Sequence, residues 1–392
     1  MSANSLVFLV IWEVMIKKVL FVLNADWYFN LHWKERAVDA MRNGFDVHVA
    51  IPSCEPKIRK ELSELRIVIH IFSMHRTSLG VFSEVRTMLS LLKVIKLVSP
   101  QVVHSVTIKP NLYCSFICRL YKLRLVTTYA GLGTLKVSNI LKYRIARKLI
   151  FGLIKLFSKN LQSYALFENE EDLLFFNVNN LIDPSRLVRV FGAGVNLETY
   201  SYSPPLNKIE GLEILFASRL LKDKGLLVLV DAVKHLKSLN FNIKLNVAGI
   251  FDPDSPLSFS VEEIEKMSLA NDITWLGQRD DIALLIAQSD LVALPTSYGE
   301  GVPRILIEAC AIGRPILTTP LGGCKDICIE NSNGFLVKPN NVTEIVDVLK
   351  ILYSKVELIT SYGLNGRHLV ESKFSNASVF EQNISIYKKL LD

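Results

Sequence analysis

The sequence has no run of 18 or more apolar residues, although half of its 392 residues are hydrophobic. Its most apolar segment, near the N-terminus, is interrupted by Glu13, Lys17 and Lys18, and it has neither the basic start nor the small-residue cleavage site of a secretory signal. We therefore expect no membrane-spanning helix and no signal peptide. A first strand is predicted from Met15, and residues 1–14 are expected to be an apolar extension or a misassigned start.

Zinc-type cysteine spacing is also missing. The six cysteines lie mostly in apolar surroundings and form neither a double CxxC nor a Cys/His pattern: Cys54, Cys114, Cys118, Cys310, Cys324 and Cys328. Reduced thiols in a cytosolic protein are the simplest interpretation.

Acidic residues are absent between Glu84 and Glu168, while basic residues continue through that stretch. Residues 1–205 contain 26 Lys/Arg and 15 Asp/Glu, a net charge of +11, whereas the remaining residues carry −4. We expect the first half to be attracted to an anion: a membrane surface, a diphosphate or a nucleic acid. No recognised nucleic-acid-binding motif is present, so a nucleic acid is the least favoured of the three.

Short apolar, β-branched runs alternate with helical patterns along the whole chain, which predicts parallel sheets covered by helices on both faces. Two doubly wound α/β domains are predicted, facing a cleft at the carboxyl ends of their strands. The break between them is placed in the Pro/Ser/Asn-rich residues 200–211. The predicted units are residues 15–205, residues 206–375, and a final helical stretch over residues 376–392 that packs back on the first domain.

Two glutamates flank a predicted helix start in "YGEGVPRILIEACAIGRPILTT", residues 298–319. Pro303 suits the first helical position, which places Glu300 in the preceding loop and Glu308 about 7–8 Å along the helix axis. The helix N-terminus between them is suited to bind phosphate, and carboxylates accept hydrogen bonds from the paired hydroxyls of a sugar and a ribose. A capped core helix with an incidental glutamate is the alternative.

A basic pair follows another predicted strand. In "FASRLLKDKG", residues 216–225, Arg219 and Lys224 lie at the carboxyl edge of the second sheet, where they could neutralise a departing diphosphate. By themselves they are equally consistent with solvated charges at a helix start.

These motifs together resemble the retaining GT-B glycosyltransferases of family 4. "EGVPRILIE" matches that family's two glutamates separated by seven residues, and "SRLLKDKG", "FGAGVN" and "TTPLGGCKDI" match its other motifs. The segments "VLFVLNADWYF", "VVHSVTIKPNLY" and "TTYAGLGTL" are similar to enzymes that extend undecaprenyl-diphosphate-linked sugars for O-antigen or capsule. The resemblance implies a GT-B fold with two Rossmann-like domains.

The resemblance also implies residue roles. Glu308 would bind the donor ribose, Glu300 the donor sugar's hydroxyls, and Arg219 with Lys224 the diphosphate. The donor would further be held near Gly301, Val302, Arg304 and Ile305, and the glycines Gly131 and Gly133 would let the first domain approach the sugar. No metal or cofactor is implied, and the departing phosphate would take the acceptor's proton.

Two positions depart from the family pattern. Many relatives have a glycine where Pro303 stands, and many have a histidine after the strand that ends at Tyr129. His104 is interpreted as a strand-end residue making a local hydrogen bond, and His32 as a loop residue, so neither is assigned that role. Asp252 and Asp254 have the Asp-x-Asp spacing of metal-dependent transferases, but their Pro-rich context favours a turn.

A basic amphipathic helix is predicted over residues 141–159. Its apolar stripe is formed by Leu141, Ile145, Leu149, Ile150, Leu153, Ile154 and Phe157. Lys142, Arg144, Arg147, Lys148, Lys155 and Lys159 flank it. Such a helix can lie in an anionic membrane interface, and the alternative is a core-facing helix with a solvated basic face.

The sequence therefore predicts a peripheral membrane enzyme on the cytoplasmic face of the inner membrane. It would transfer a hexosamine, such as N-acetylgalactosamine, from a UDP-sugar to an undecaprenyl-diphosphate-linked saccharide in surface polysaccharide synthesis. Three alternatives stay open: a transferase with another donor hexose and a longer acceptor, a UDP-sugar 2-epimerase, and a non-catalytic paralogue.

Overall fold

The computed structural model describes residues 17–74, 80–133, 141–159, 161–205, 211–253 and 255–392. Two parallel sheets organise these residues, with strand orders β3-β2-β1-β4-β5-β6-β7 and β10-β9-β8-β11-β12-β13. In each sheet, later strands are added on both sides of the strand that comes first in the sequence, β1 or β8. This is the doubly wound arrangement. The predicted α/β class with two parallel-sheet domains is confirmed.

The first sheet is built from strands whose central members are buried on both faces, as their continuous apolar runs require. Its strands are β1 (Lys17–Val22), β2 (Phe45–Ile51), β3 (Val68–Ile71), β4 (Val102–Val106), β5 (Arg124–Tyr129), β6 (Ser163–Phe167) and β7 (Leu187–Arg189). Its helices are α1 (Asp26–His32), α2 (Lys34–Arg42), α3 (Pro56–Glu64), α4 (Val81–Val98), α5 (Ile108–Tyr121), α6 (Leu141–Ser158) and α7 (Glu170–Val178).

The second sheet has shorter strands around a larger continuous core. Its strands are β8 (Leu212–Arg219), β9 (Ile243–Ile250), β10 (Thr274–Trp275), β11 (Leu291–Leu294), β12 (Ile316–Thr318) and β13 (Gly334–Leu336). Its helices are α8 (Leu226–Ser238), α9 (Val261–Leu269), α10 (Ile282–Gln288), α11 (Arg304–Ile312), α12 (Cys324–Ile327), α13 (Val342–Ser354) and α14 (Glu357–Leu369).

Twelve apolar runs of the sequence coincide with twelve of these strands. The exception is β7, three half-buried residues that pair with β6 at the edge of the first sheet. Its short sequence, Leu187-Val188-Arg189, contains too little alternation or hydrophobicity to distinguish it from a loop.

The connection between the sheets runs across the second domain. The guanidinium of Arg314 is fully buried and donates to the carbonyls of Ser203 and Pro204, and also to those of Ala287 and Ser289. Because a buried guanidinium needs several acceptors, it holds residues 203–204 of the connection against the second domain.

The chain returns to the first domain through α15 (Asn376–Leu391). Its N-cap Ser375 accepts a hydrogen bond from the N–H of Ser378, and Val195 and Ser375 form an isolated bridge where the chain crosses. Ile384, Ile386 and Tyr387 then join the core of the first domain beside Phe45 and Ala37. The last helix is therefore a structural part of the first domain.

Among the described residues, none of the helices combines the length and the hydrophobicity needed to cross a bilayer.

Candidate active site

The loop between β11 and α11 contains the first of the two predicted glutamates. Pro303 is the N-cap of α11, with φ −64°, and its carbonyl accepts the N–H of Leu306 at 3.1 Å. The prediction that Pro303 is the first helical residue is wrong by one position, because helical hydrogen bonding starts at this carbonyl and the helix begins at Arg304. Glu300 lies before the helix and Glu308 is its fifth residue, as predicted.

Glu300 forms an ion pair with Lys224, and both side chains are largely buried. Lys224 ends a 3-10 turn (Lys222–Lys224) that is followed by Gly225 at φ +86°, where a side chain would collide with the carbonyl of Pro295. The backbone of Glu300 is held too, since its carbonyl accepts the N–H of Gly323 at 2.9 Å. One oxygen, Oε1, has no hydrogen-bond partner among the residues that the structure describes. This pair therefore leaves a fixed acceptor atom for a ligand.

Glu308 is buried and paired within its own helix. Its Oε1 lies 2.6 Å from Nε of Arg304, four residues earlier. Burial raises the pKa of Glu308, and the Arg304 guanidinium opposes that shift. Arg304 also donates to the carbonyl of Leu31 in the first domain, so it joins the two domains. Pairing with Arg304 explains how this apolar helix tolerates a carboxylate.

Arg219 ends β8 and is the most accessible of the predicted charges, with 36% of its side chain exposed. Its Nη1 lies 2.7 Å from Oδ2 of Asp252. Asp252 thus has a cation as partner, while Asp254 lies outside the described residues. The residues that the structure describes contain no group of three His, Cys, Asp or Glu side chains able to hold a metal ion.

Glycines let the loops of the two domains touch backbone to backbone. Gly131 has φ +132°, and a Cβ there would lie 2.8 Å from the nitrogen of Gly301. Gly133 has φ +53°, and a side chain there would collide with the Tyr298 hydroxyl. These glycines approach the second domain, whereas the sequence predicts their approach to a sugar.

Two backbone N–H groups of the loop before α11 lie next to these glycines. Within the described part of the chain, no backbone carbonyl accepts the N–H of Gly301 or Val302. The side chain of Val302 is buried in the core, and Ile305, in the first turn of α11, packs against the same core. Free N–H groups ahead of a helix N-terminus suit an anion or a hydroxyl oxygen.

The opposite wall of the cleft contains residues that the sequence analysis did not single out. Tyr28 and His32 on α1 are half-buried, and Arg36 and Glu168 are buried. Glu168 directly follows β6, so the rule that ligands bind at carboxyl ends of parallel strands could have found it. Burial raises the pKa of Glu168, with Arg36 and Arg189 opposing.

The histidines of this wall are neutral. Burial, reinforced by Arg304, Arg36 and Arg219, lowers the pKa of His32 to about 3. His32 is the last residue of α1, so its predicted loop position is wrong. His104 hydrogen-bonds to Tyr387 at 2.5 Å and Thr128 at 2.8 Å, and burial lowers its pKa. His104 is the middle residue of β4, and its partners are 24 and 283 positions away in the sequence, so the predicted strand-end position with a local hydrogen bond is wrong.

Helix α6 is present where the sequence predicts it, but its apolar residues are divided between two faces. Phe151 and Ile154 are buried in the core, whereas Leu141, Ile145, Leu149 and Leu156 are more than half exposed. Arg144 and Lys148 are exposed beside them, and Arg147 is half-buried. The side chain of Lys142 lies outside what the structure describes.

Comparison with known proteins identifies the class of the chain. A family model described as "Glycosyl transferase 4-like" matches residues 18–163, and one described as "Glycosyl transferases group 1" matches residues 204–369. The protein is therefore a glycosyltransferase. Its first domain matches the 4-like glycosyltransferases and its second the group 1 glycosyltransferases, and the chain has the GT-B fold.

The relatives and the solved structures match this chain over nearly its whole length. A capsular polysaccharide biosynthesis glycosyltransferase, CapM of Staphylococcus aureus, is 24% identical over 89% of this chain and 91% of its own length. The N,N'-diacetylbacillosaminyl-diphospho-undecaprenol alpha-1,3-N-acetylgalactosaminyltransferase of Campylobacter jejuni is also 24% identical, over 92% and 95%.

Two solved structures show the same fold. A glycosyltransferase from Rickettsia africae superposes with a TM-score of 0.77 at 22% identity, covering 96% of this chain and 99% of its own. Anabaena Alr3699/HepE, solved in complex with UDP and glucose, superposes with a TM-score of 0.74 at 16% identity, covering 94% and 98%.

Proposed function

We propose that this glycosyltransferase moves a hexosamine from a UDP-sugar to an undecaprenyl-diphosphate-linked saccharide in surface polysaccharide synthesis, with retention at the anomeric carbon. The observation that carries the proposal is the arrangement around the start of α11. Glu300, fixed by Lys224, and Glu308 lie on either side of free backbone N–H groups. That arrangement offers separate acceptors for a sugar and a ribose, with donors for phosphate between them.

The donor would lie along the second-domain wall of the cleft. Glu308 accepts hydrogen bonds from the ribose hydroxyls. Glu300 accepts one from a sugar hydroxyl at Oε1, which has no partner among the described residues. Arg219 and Lys224 face the diphosphate, assisted by the N–H groups of Gly301 and Val302. Support for a uridine nucleotide comes from the Anabaena neighbour, which was solved with UDP.

In the proposed reaction, the bond between the anomeric carbon and the β-phosphate oxygen breaks while a bond to the acceptor hydroxyl oxygen forms on the same face. The acceptor's proton passes to the departing phosphate. Arg219 and Lys224 stabilise the charge that develops on UDP. Since these cations supply the positive charge, we expect the reaction to need no bound metal and to survive EDTA.

The first domain would bind the lipid-linked acceptor at a membrane surface. The exposed apolar stripe of α6, formed by Leu141, Ile145, Leu149 and Leu156, lies beside exposed basic residues in a stretch without acidic residues. Such a surface suits the interface of an anionic membrane, here the cytoplasmic face of the inner membrane. The name of the Campylobacter relative, which includes a diphospho-undecaprenol, supports this class of acceptor.

The test is transfer from a panel of UDP-sugars to a lipid-diphosphate N-acetylglucosamine acceptor, followed by mass spectrometry. We expect the acceptor to grow by one sugar with one donor. Release of UDP without acceptor growth would keep the transferase and refute this acceptor. Failure to release UDP from any of these sugars would refute the UDP-sugar donor.

A further inference from the structure

The carboxylate of Glu168 accepts no hydrogen bond from the part of the chain that the structure describes. Its side chain is 8% exposed, and among the described residues its nearest cation is Arg36, with Nη2 at 3.9 Å from Oε1. A hydrogen bond needs a separation of about 3 Å, so this pair is electrostatic only. The other oxygen, Oε2, lies 3.1 Å from the position that a Cβ on Gly301 would occupy. Glu168 therefore reaches from the first domain to the loop that follows Glu300.

Arg36 supports this carboxylate from behind. Its side chain is 2% exposed, lies 4.4 Å from the ring centre of Trp33, and donates through Nη2 to the carbonyl of Gly192. Its Nε and Nη1 have no partner among the described residues. A buried guanidinium with two unused donors costs free energy. Two unused donors next to a carboxylate that is too far away to accept from them indicate a ligand site rather than a structural ion pair.

The chemistry of the site selects a neutral hydroxyl group. A carboxylate repels phosphate, and it accepts hydrogen bonds strongly from hydroxyl groups. The charges assigned to the nucleotide, Lys224 and Arg304, come from the second domain and pair with glutamates of that domain. Glu168 comes from the first domain, so its carboxylate is assigned to the acceptor side.

We propose that Glu168 binds a sugar hydroxyl of the acceptor saccharide and that Arg36 is a positioning residue that holds this carboxylate in place. This inference rests on the proposed function, and it adds an acceptor-binding residue to a reaction otherwise assigned to the second domain.

The test compares Glu168→Gln with Glu170→Gln, a matched control two residues along the chain whose side chain is exposed. Loss of a charge-assisted hydrogen bond is expected to raise the acceptor KM about tenfold or more, because such bonds contribute about 1.5–3 kcal/mol. The donor KM should be unchanged. The slow hydrolysis of the UDP-sugar by water, which releases UDP without an acceptor, should be unchanged as well. Arg36→Lys, which keeps the charge but loses the planar guanidinium, is expected to shift the acceptor KM in the same direction and by less.

Equilibrium binding of a short-chain lipid diphosphate N-acetylglucosamine, followed by tryptophan fluorescence, gives a second measurement that needs no turnover. Weaker saccharide binding by Glu168→Gln, with UDP binding intact, supports the inference. Equal saccharide binding by Glu168→Gln and the wild type, or a rise in the donor KM instead, overturns it. Absence of UDP binding by the wild type would refute the proposed function separately.

Discussion

The two walls of the cleft differ in how their charged side chains are paired. On the second-domain wall, Lys224 pairs with Glu300, Arg304 with Glu308, and Arg219 with Asp252. On the first-domain wall, Glu168 accepts no hydrogen bond from the described residues, and Arg36 keeps two unused donors. A highly charged nucleotide can exchange partners with preformed ion pairs, which keeps these buried charges tolerable before it binds. The first-domain groups assigned to the acceptor form no such close pair, since Arg36 and Glu168 are 3.9 Å apart.

Breaking the ion pair between Lys224 and Glu300 on the second-domain wall should have the largest effect. Lys224→Ala leaves Glu300 without its cation and removes positive charge from the proposed diphosphate site. We expect transfer to fall by about 10²–10³ in kcat, which is typical for loss of one donor to developing charge. The matched control is Lys222→Ala, in the same turn but 45% exposed and paired with Glu263. Equal losses in the two variants would contradict the assignment.

The second ion pair should affect affinity more than turnover. Glu308→Ala removes the proposed acceptor of the ribose hydroxyls and is expected to weaken UDP binding about 10- to 100-fold, the usual range for a hydrogen bond to a charged group. Titration calorimetry measures this directly, with exposed Glu265→Ala as control. Unchanged affinity for UDP would show that Glu308 only neutralises Arg304.

The exposed apolar stripe of α6 allows a comparison between the outer surfaces of the two domains. Ile145→Asp with Leu149→Asp places two acidic side chains in the predicted interface, and we expect binding to phosphatidylglycerol vesicles to fall about tenfold. Leu269→Asp, at an 85% exposed leucine of the second domain, is the control and should bind like the wild type. If sedimentation with vesicles falls equally in both, the membrane surface lies elsewhere.

Lowering the pH should have the smallest effect on UDP affinity, and it should act only through Glu308. Burial raises the pKa of Glu308 above its ordinary value of 4.5, so this carboxylate loses its charge earlier than an exposed glutamate as the pH falls. Affinity for UDP should therefore decrease on approaching that pKa from above, with Arg304, Tyr200 and Glu35 facing the group. Glu308→Gln should remove the step. His32, with a pKa of about 3, should contribute no step near neutral pH, and a step that survives in Glu308→Gln but disappears in His32→Asn would reverse this assignment.

Local patterns explain what the sequence could predict. Glu300 and Glu308 are eight positions apart on one loop and helix, so their relation follows from helix geometry alone. Arg36 and Glu168 are 132 positions apart and are brought together only by the tertiary structure, so the sequence contains no periodic signal for their proximity. The nearby pair of Arg304 and Glu308 was visible as an i, i+4 pair, but the sequence analysis assigned both residues to the donor.

Helix α6 shows a second limit. Its periodicity predicts which residues share a side, but the direction of the core depends on where the helix packs. Leu149 and Ile154 were placed on one stripe, yet one is exposed and the other is buried. Five residues correspond to about 140° around the helix axis, so the predicted stripe was too wide to lie on one side of the helix, and only the tertiary structure showed which part of it faces the core.

The returning helix α15 has a consequence for biosynthesis. The core of the first domain contains Ile384, Ile386 and Tyr387, from the last nine residues of the chain, whereas the core of the second domain extends no further than Phe374. Domains generally fold in the order in which they emerge from the ribosome. Here the domain that is translated first can complete its core only after the second domain has been translated as well, so the second domain is the first that can be finished.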